Sequence, residues 1–345
     1  MKSLNSSTSQ VDPQSWRSNG TLKKEAPTLK IVLAYFVIAL AVLLIAFLFP
    51  GQDESFASVP VLVSLFLLIP LYAWYRSYRR KRELSKDVSP RDTGEVVFWV
   101  FALFLLAMLV RIPSVVVFGV PFEKTPVIFL TILTMVVIEK TSPSAFGFTL
   151  KKPGKSLFYG VSFLLTMNIF ATFFSYLLIY GLTGRMAFET FNPAPFVMVL
   201  PFMTLCVGIS EEGLFRGYIQ NHLEKLFTAR NAILVQAILF GAWHFVWDLS
   251  PFNPFDMAQR VLFTFLYGLV IGYFYSKTRS LTPLVLAHGL WDSVALGIAE
   301  SQPAFDALAK TSWSSQALVF LLPYAIAALL TFAFVKHFVK RINDD

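Results

Sequence analysis

The chain has 345 residues, of which 56% are apolar, 16% aromatic and only 14% charged. Soluble domains carry about a quarter charged residues, so this composition excludes a soluble enzyme. It also excludes a soluble nucleic-acid binder, despite a net charge of +8. A single cysteine, Cys206, leaves no internal disulfide and no multi-cysteine metal site.

The first 28 residues are polar and read as a disordered cytoplasmic tail; the apolar run behind them is too long for the core of a cleavable signal. Apolar runs and their breaks then predict ten spans, at about 29–50, 56–75, 96–119, 125–139, 156–183, 194–222, 231–247, 258–276, 281–299 and 315–335. A run of about 20 apolar residues, rising ~1.5 Å each, crosses a hydrocarbon layer of about 30 Å. The expectation is an all-α polytopic integral membrane protein of about ten transmembrane helices. Proline breaks at Ser142–Pro143 and Lys152–Pro153 set off a front section of four spans, 29–150, from a core at 151–300. Residues 301–345 hold a last span and a short tail.

Basic residues orient this arrangement. With both termini cytoplasmic, the inner segments hold 23 Lys and Arg and the outer ones only Lys124, Arg185, Arg260 and Lys310. The cluster Arg76, Arg79, Arg80, Lys81 and Arg82, just past the second span, reads as an anchor to anionic inner-leaflet lipids.

Ionisable side chains inside a bilayer cost at least about 2.5–3.5 kcal/mol each, so their presence asks for a reason. Arg111, in the third span, reads as snorkelling or bound to a backbone carbonyl. The others fall after residue 200. They lie in Ser210-Glu-Glu-Gly-Leu-Phe-Arg216, Phe240-Gly-Ala-Trp-His244 and His288-Gly-Leu-Trp-Asp292. Glu212 and Arg216, four apart, share a helix face and can neutralise each other as a structural pair. Glu211 points about 100° away, has no partner on its own helix, and is the carboxylate left for chemistry. Phe240 shares a face with His244, and His288 with Asp292, which can orient the imidazole. Counted along the spans at ~1.5 Å per residue, Glu211, His244, His288 and Asp292 fall in one slab about 10 Å thick. One cavity can hold all four. A carboxylate and a histidine on different helices can hold and activate a water, and a second histidine can donate to a developing oxyanion.

These three motifs have the forms EExxxR, FxxxH and HxxxN/D. In this order they resemble the signature of the CAAX-type prenyl endopeptidases and their bacterial relatives, the CPBP or Abi family of intramembrane glutamic endopeptidases. The resemblance covers about residues 155–300. It implies that Glu211 activates the water, that His244 helps to hold it, and that His288 with Asp292 stabilises the oxyanion. Glu212, Arg216 and Phe240 would support them. It also implies a site open to the cytoplasmic side of a bacterial plasma membrane, no cofactor, and a membrane-associated peptide or lipoprotein as substrate. Asp292 stands where some members carry Asn, and a carboxylate donates a hydrogen bond only when protonated.

Three rival readings remain at the level of sequence. Glu211, His244 and His288 could ligate a catalytic zinc ion with one open position, although no HExxH is present. Ser210 could act as a nucleophile, although it lacks a GxSxG setting. The protein could instead be a non-catalytic membrane chaperone, scaffold or transporter. Oligomeric state, substrate and the purpose of the front spans are not legible.

Overall fold

The computed structural model describes residues 15–49, 59–89 and 91–342. Residues 1–14 of the expected tail, 56–58 of the second expected span and the last three residues lie outside these. The described chain is nearly all helical. In order, α1 is Ser15–Leu48, α2 Val59–Lys81, α3 Thr93–Phe118, α4 Lys124–Ile138, α5 Pro153–Thr183 and α6 Pro193–Leu226. The remaining helices are α7 Ala229–Asp248, α8 Pro254–Thr278, α9 Thr282–Gly297, α10 Gln302–Ala309 and α11 Trp313–Phe338.

Among the described residues, eight helices are long and apolar enough to cross a membrane, against the ten spans expected. The two that fall short are α4 and α9, which lie where the fourth and ninth spans were predicted. The 16 residues of α9 extend about 24 Å, less than the hydrocarbon layer. Most side chains of α4 are buried in protein and none is exposed. Ser15–Thr28, within the expected tail, continues the first helix. Extending a helix that already exists avoids the cost of nucleating one. Two short strands, β1 Phe188–Phe191 and β2 Ile298–Glu300, pair antiparallel and tie the approach to α6 to the end of α9. Segments this short carry no readable alternation, so the sequence does not announce them.

Local signals set the helix ends. Asn192 caps α6 with Pro193 in its first turn, Thr228 caps α7 and Asn253 caps α8. Gly119 closes α3 in the left-handed conformation, φ 66°. Within α6, Pro201 interrupts the hydrogen-bond ladder just before a π-helical stretch, Met203–Gly208. A second, Gly213–Gln220, follows the four α-helical residues Ile209–Glu212. Widened turns of this kind recur at functional sites.

Leu40, Phe47, Phe98, Leu105 and Leu109 are more than half exposed on the outer faces, as lipid-facing side chains are. The largest apolar cluster of the interior runs from Tyr35 and Phe104 of the front helices to Phe215, Phe240 and Trp243 behind them. The front section therefore packs into the same core as the rest.

Two helix crossings position the site, and both rest on glycine. A Cβ on Gly289 of α9 would stand 2.5 Å from the Cα of Thr204, and one on Gly208 of α6 would stand 2.9 Å from the carbonyl oxygen of Val285. The α6 and α9 backbones thus touch directly beside Glu211 and His288, as small residues permit in membrane helices. Gly241 does the same for α7 against α8, where a Cβ would meet the Val261 carbonyl oxygen at 2.9 Å. Gly289→Ala is expected to force the α6–α9 crossing apart and cost about 1–3 kcal/mol, read as a lower thermal midpoint in detergent.

Candidate active site

The three motifs meet around one cavity of about 460 Å³, lined by Glu211, Phe240, His244, His288 and Asp292 among others. It extends to the exposed side chains of Arg260 and Leu296. Glu211 is buried, and its two carboxylate oxygens have different surroundings. Oε1 accepts from Lys124 Nζ at 2.5 Å and from the Trp243 indole N–H at 2.9 Å. Oε2 accepts no hydrogen bond from the described residues. It faces Nε2 of His288 at 3.6 Å and Nε2 of His244 at 3.9 Å.

The partners of the two histidines define their tautomers. His244 Nδ1 lies 2.8 Å from the backbone carbonyl oxygen of Phe240, which can only accept, so Nδ1 carries the proton. His288 Nδ1 lies 2.8 Å from Glu212 Oε1, and a carboxylate again requires the N–H there. In their neutral forms both rings therefore turn an Nε2 lone pair toward Glu211. The residue that holds the His288 ring most closely is Glu212; Asp292 Oδ2 stands 3.5 Å from Nε2 on the cavity side. Glu212 thus serves Arg216 and His288 together, a role the spacing within one helix does not reveal.

Arg216 is fully buried and lies 3.4 Å from Glu212 Oε1. Its guanidinium carbon also stands 4.1 Å from the centroid of the Phe240 ring. The Phe240 ring packs in turn against His244, centroid to centroid 4.7 Å. The second motif's phenylalanine accordingly links the arginine of the first motif to the histidine of its own.

The front section reaches the site in a way that span counting missed. Lys124, counted there as an outer-loop charge, is 1% exposed, and it pairs with Glu123 at 3.0 Å as well as with Glu211. Glu211 is unpartnered on its own helix but paired across helices. Arg111 does not snorkel: it is buried, pairs with Glu123, and donates from Nε to the Trp243 carbonyl oxygen at 2.9 Å. The resulting chain Arg111–Glu123–Lys124–Glu211 alternates in sign, which allows charge to be buried. Adjacent opposite charges at the head of a short apolar segment were the only hint available. Ser210 spends its hydroxyl on the Val207 carbonyl oxygen at 2.9 Å, and Cys206 is packed in the core. His222 pairs with Glu139 at 3.1 Å, away from the cavity lining. Among the described residues, no three His, Cys, Asp or Glu side chains are grouped to hold a metal ion.

Residues 193–294 match the family described as type II CAAX prenyl endopeptidase Rce1-like. The match begins at the first residue of α6, ends within α9 and contains all three motifs. It supports the family resemblance that those motifs carry. No curated protein matches the chain.

Removing one member of the buried pair leaves the other charge uncompensated. Arg216→Ala is expected to lower unfolding stability by about 3–5 kcal/mol, with part of the loss recovered when Glu212→Leu is combined with Arg216→Met. Denaturation in detergent measures both.

Proposed function

We propose that this protein is an intramembrane endopeptidase that cleaves a peptide bond in a lipidated, in particular prenylated, or hydrophobic membrane-associated substrate with a water activated by Glu211. The observation that carries this reading is Glu211 Oε2, unbonded and turned toward both imidazole Nε2 atoms in the cavity. A water there can donate one hydrogen to Oε2 and the other to Nε2 of His244. Its oxygen lone pair is then left to attack a carbonyl carbon. Lys124 and Trp243 hold Oε1, so the carboxylate cannot swing away from the water. Preorganisation of this kind lowers the barrier without costing motion at the moment of reaction.

The reaction then runs in two steps. Water oxygen bonds to the carbonyl carbon while its proton passes to Glu211 and the carbonyl electron pair moves onto oxygen. When the tetrahedral centre collapses, the C–N bond breaks and Glu211 returns the proton to the leaving nitrogen. His288, held by Glu212 and flanked by Asp292, stands beside the reacting atoms and, when protonated, stabilises the oxyanion.

The alternating excess of basic residues supports cytoplasmic termini, and the basic stretch 76–82 supports contact with anionic lipids. With that orientation the exposed rim of the cavity at Arg260 falls on the outer side, against the cytoplasmic opening expected from the sequence. We read the chemistry as metal-free. The ammonium of Lys124 already supplies the positive charge that Glu211 would otherwise draw from a metal ion.

Glu211→Gln keeps the size of the side chain and removes the base. It is expected to lower cleavage of a farnesylated peptide in proteoliposomes by at least about 100-fold while the protein stays folded. Undiminished turnover by this variant would remove Glu211 as the base, and no turnover by the wild type would favour a non-catalytic role. Activity is also expected to survive a strong chelator, with no stoichiometric zinc in elemental analysis; loss on chelation and return with Zn²⁺ would establish the metalloprotease reading instead.

A further inference from the structure

We propose that the Asn168 side-chain amide and the Tyr267 hydroxyl are the donors that bind the substrate's scissile carbonyl oxygen and stabilise the oxyanion formed there. The proposal rests on the protease reading above and identifies substrate-contacting residues that lie outside all three motifs.

Asn168 is completely buried in the π-helical stretch Leu164–Ile169 of α5. Neither its Nδ2 nor its Oδ1 has a hydrogen-bond partner among the described residues. Tyr267, in α8, is 4% exposed, and its hydroxyl is likewise unpartnered. Buried polar groups in folded proteins are overwhelmingly paired, and in a membrane helix an unsatisfied one is especially costly. Both side chains line the cavity that holds Glu211, so what fills that cavity is what can pair with them.

Their placement fits the carbonyl. The Tyr267 ring stands 6.4 Å from the His288 ring, centroid to centroid, and packs edge-on against Phe163 at 5.7 Å. Phe163 immediately precedes the stretch that carries Asn168, and Asn168 of α5 and Tyr267 of α8 line the same cavity. The α5 helix is also held tightly to α9: a Cβ on Gly160 would meet the Pro283 carbonyl oxygen at 2.8 Å.

The chemistry of the third motif leaves room for them. With its Nδ1–H committed to Glu212, neutral His288 offers a lone pair at Nε2 and donates there only as imidazolium. Asp292, as a carboxylate, accepts only. Arg111 and Lys124, which also line the cavity, are committed to Glu123 and Glu211. The amide of Asn168 and the hydroxyl of Tyr267 donate at any protonation state of the site. As water adds to the carbonyl carbon and its proton passes to Glu211, the electron pair released onto oxygen is received by Nδ2–H and O–H. The same bonds weaken when the C–N bond breaks and the carbonyl re-forms.

The test uses full-length protein in native membranes, where the natural substrate is present whatever its identity. Terminal-peptide proteomics defines the new termini that appear with the wild type and vanish with Glu211→Gln, and then follows them in Asn168→Leu and Tyr267→Phe. Each variant is also purified to read its thermal midpoint. Because neither group bonds to the described residues, both variants are expected to keep or raise the midpoint while the Glu211-dependent termini form about 100- to 1000-fold more slowly. Wild-type rates in both variants, with Glu211→Gln inactive, overturn the donor pair and leave the protease reading standing. A fall in midpoint that accompanies the loss of activity assigns the two residues a packing role and overturns the proposal as well. Absence of any Glu211-dependent terminus overturns both readings.

Discussion

The structure depends on how charge is kept inside an apolar interior. An isolated ionised carboxylate or ammonium cannot be held there, because the energy lost on leaving water exceeds what packing returns. This chain meets that constraint by running its buried charges in opposite-sign sequences that cross helices. One runs Arg111–Glu123–Lys124–Glu211 and the other Arg216–Glu212–His288–Asp292. The two come together between Glu211 and His288, where the closest approach is 3.6 Å and no direct hydrogen bond closes the gap. The site is therefore the junction of two charge chains, each complete on its own side.

This arrangement gives the front helices a purpose. They lie outside residues 193–294, yet α4 carries the ammonium that holds Glu211 by one oxygen and leaves the other free. A short helix enclosed by protein suits that role better than a lipid-facing span, since its polar head can be buried against partners. The α3 helix contributes Arg111, which braces the backbone of Trp243 while that residue's indole holds the same carboxylate oxygen. Position and charge of Glu211 are thus fixed from two directions.

Close backbone contact supplies the precision. Gly208 and Gly289 let α6 and α9 touch, Gly241 brings α7 onto α8, and the β1–β2 pair fastens the α6–α9 unit at one end. Hydrophobic burial drives little association between helices in lipid, so such contacts and the interhelical polar bonds carry the assembly. The widened turns on either side of Ile209–Glu212 adjust where the two glutamates project.

The amino-acid sequence alone determined the class of the molecule, the position of every long helix and the three motifs whose side chains surround the cavity. Those features follow from composition, from runs of apolar residues and from spacing along one helix, all of which are local. Only the tertiary structure decided that α9 is short, that Lys124 is an inner partner of Glu211, that Glu212 holds His288, and that Asn168 and Tyr267 face the cavity. Each of these depends on which helices touch and at what height, information carried by packing across tens to hundreds of residues and not by any periodicity within a segment.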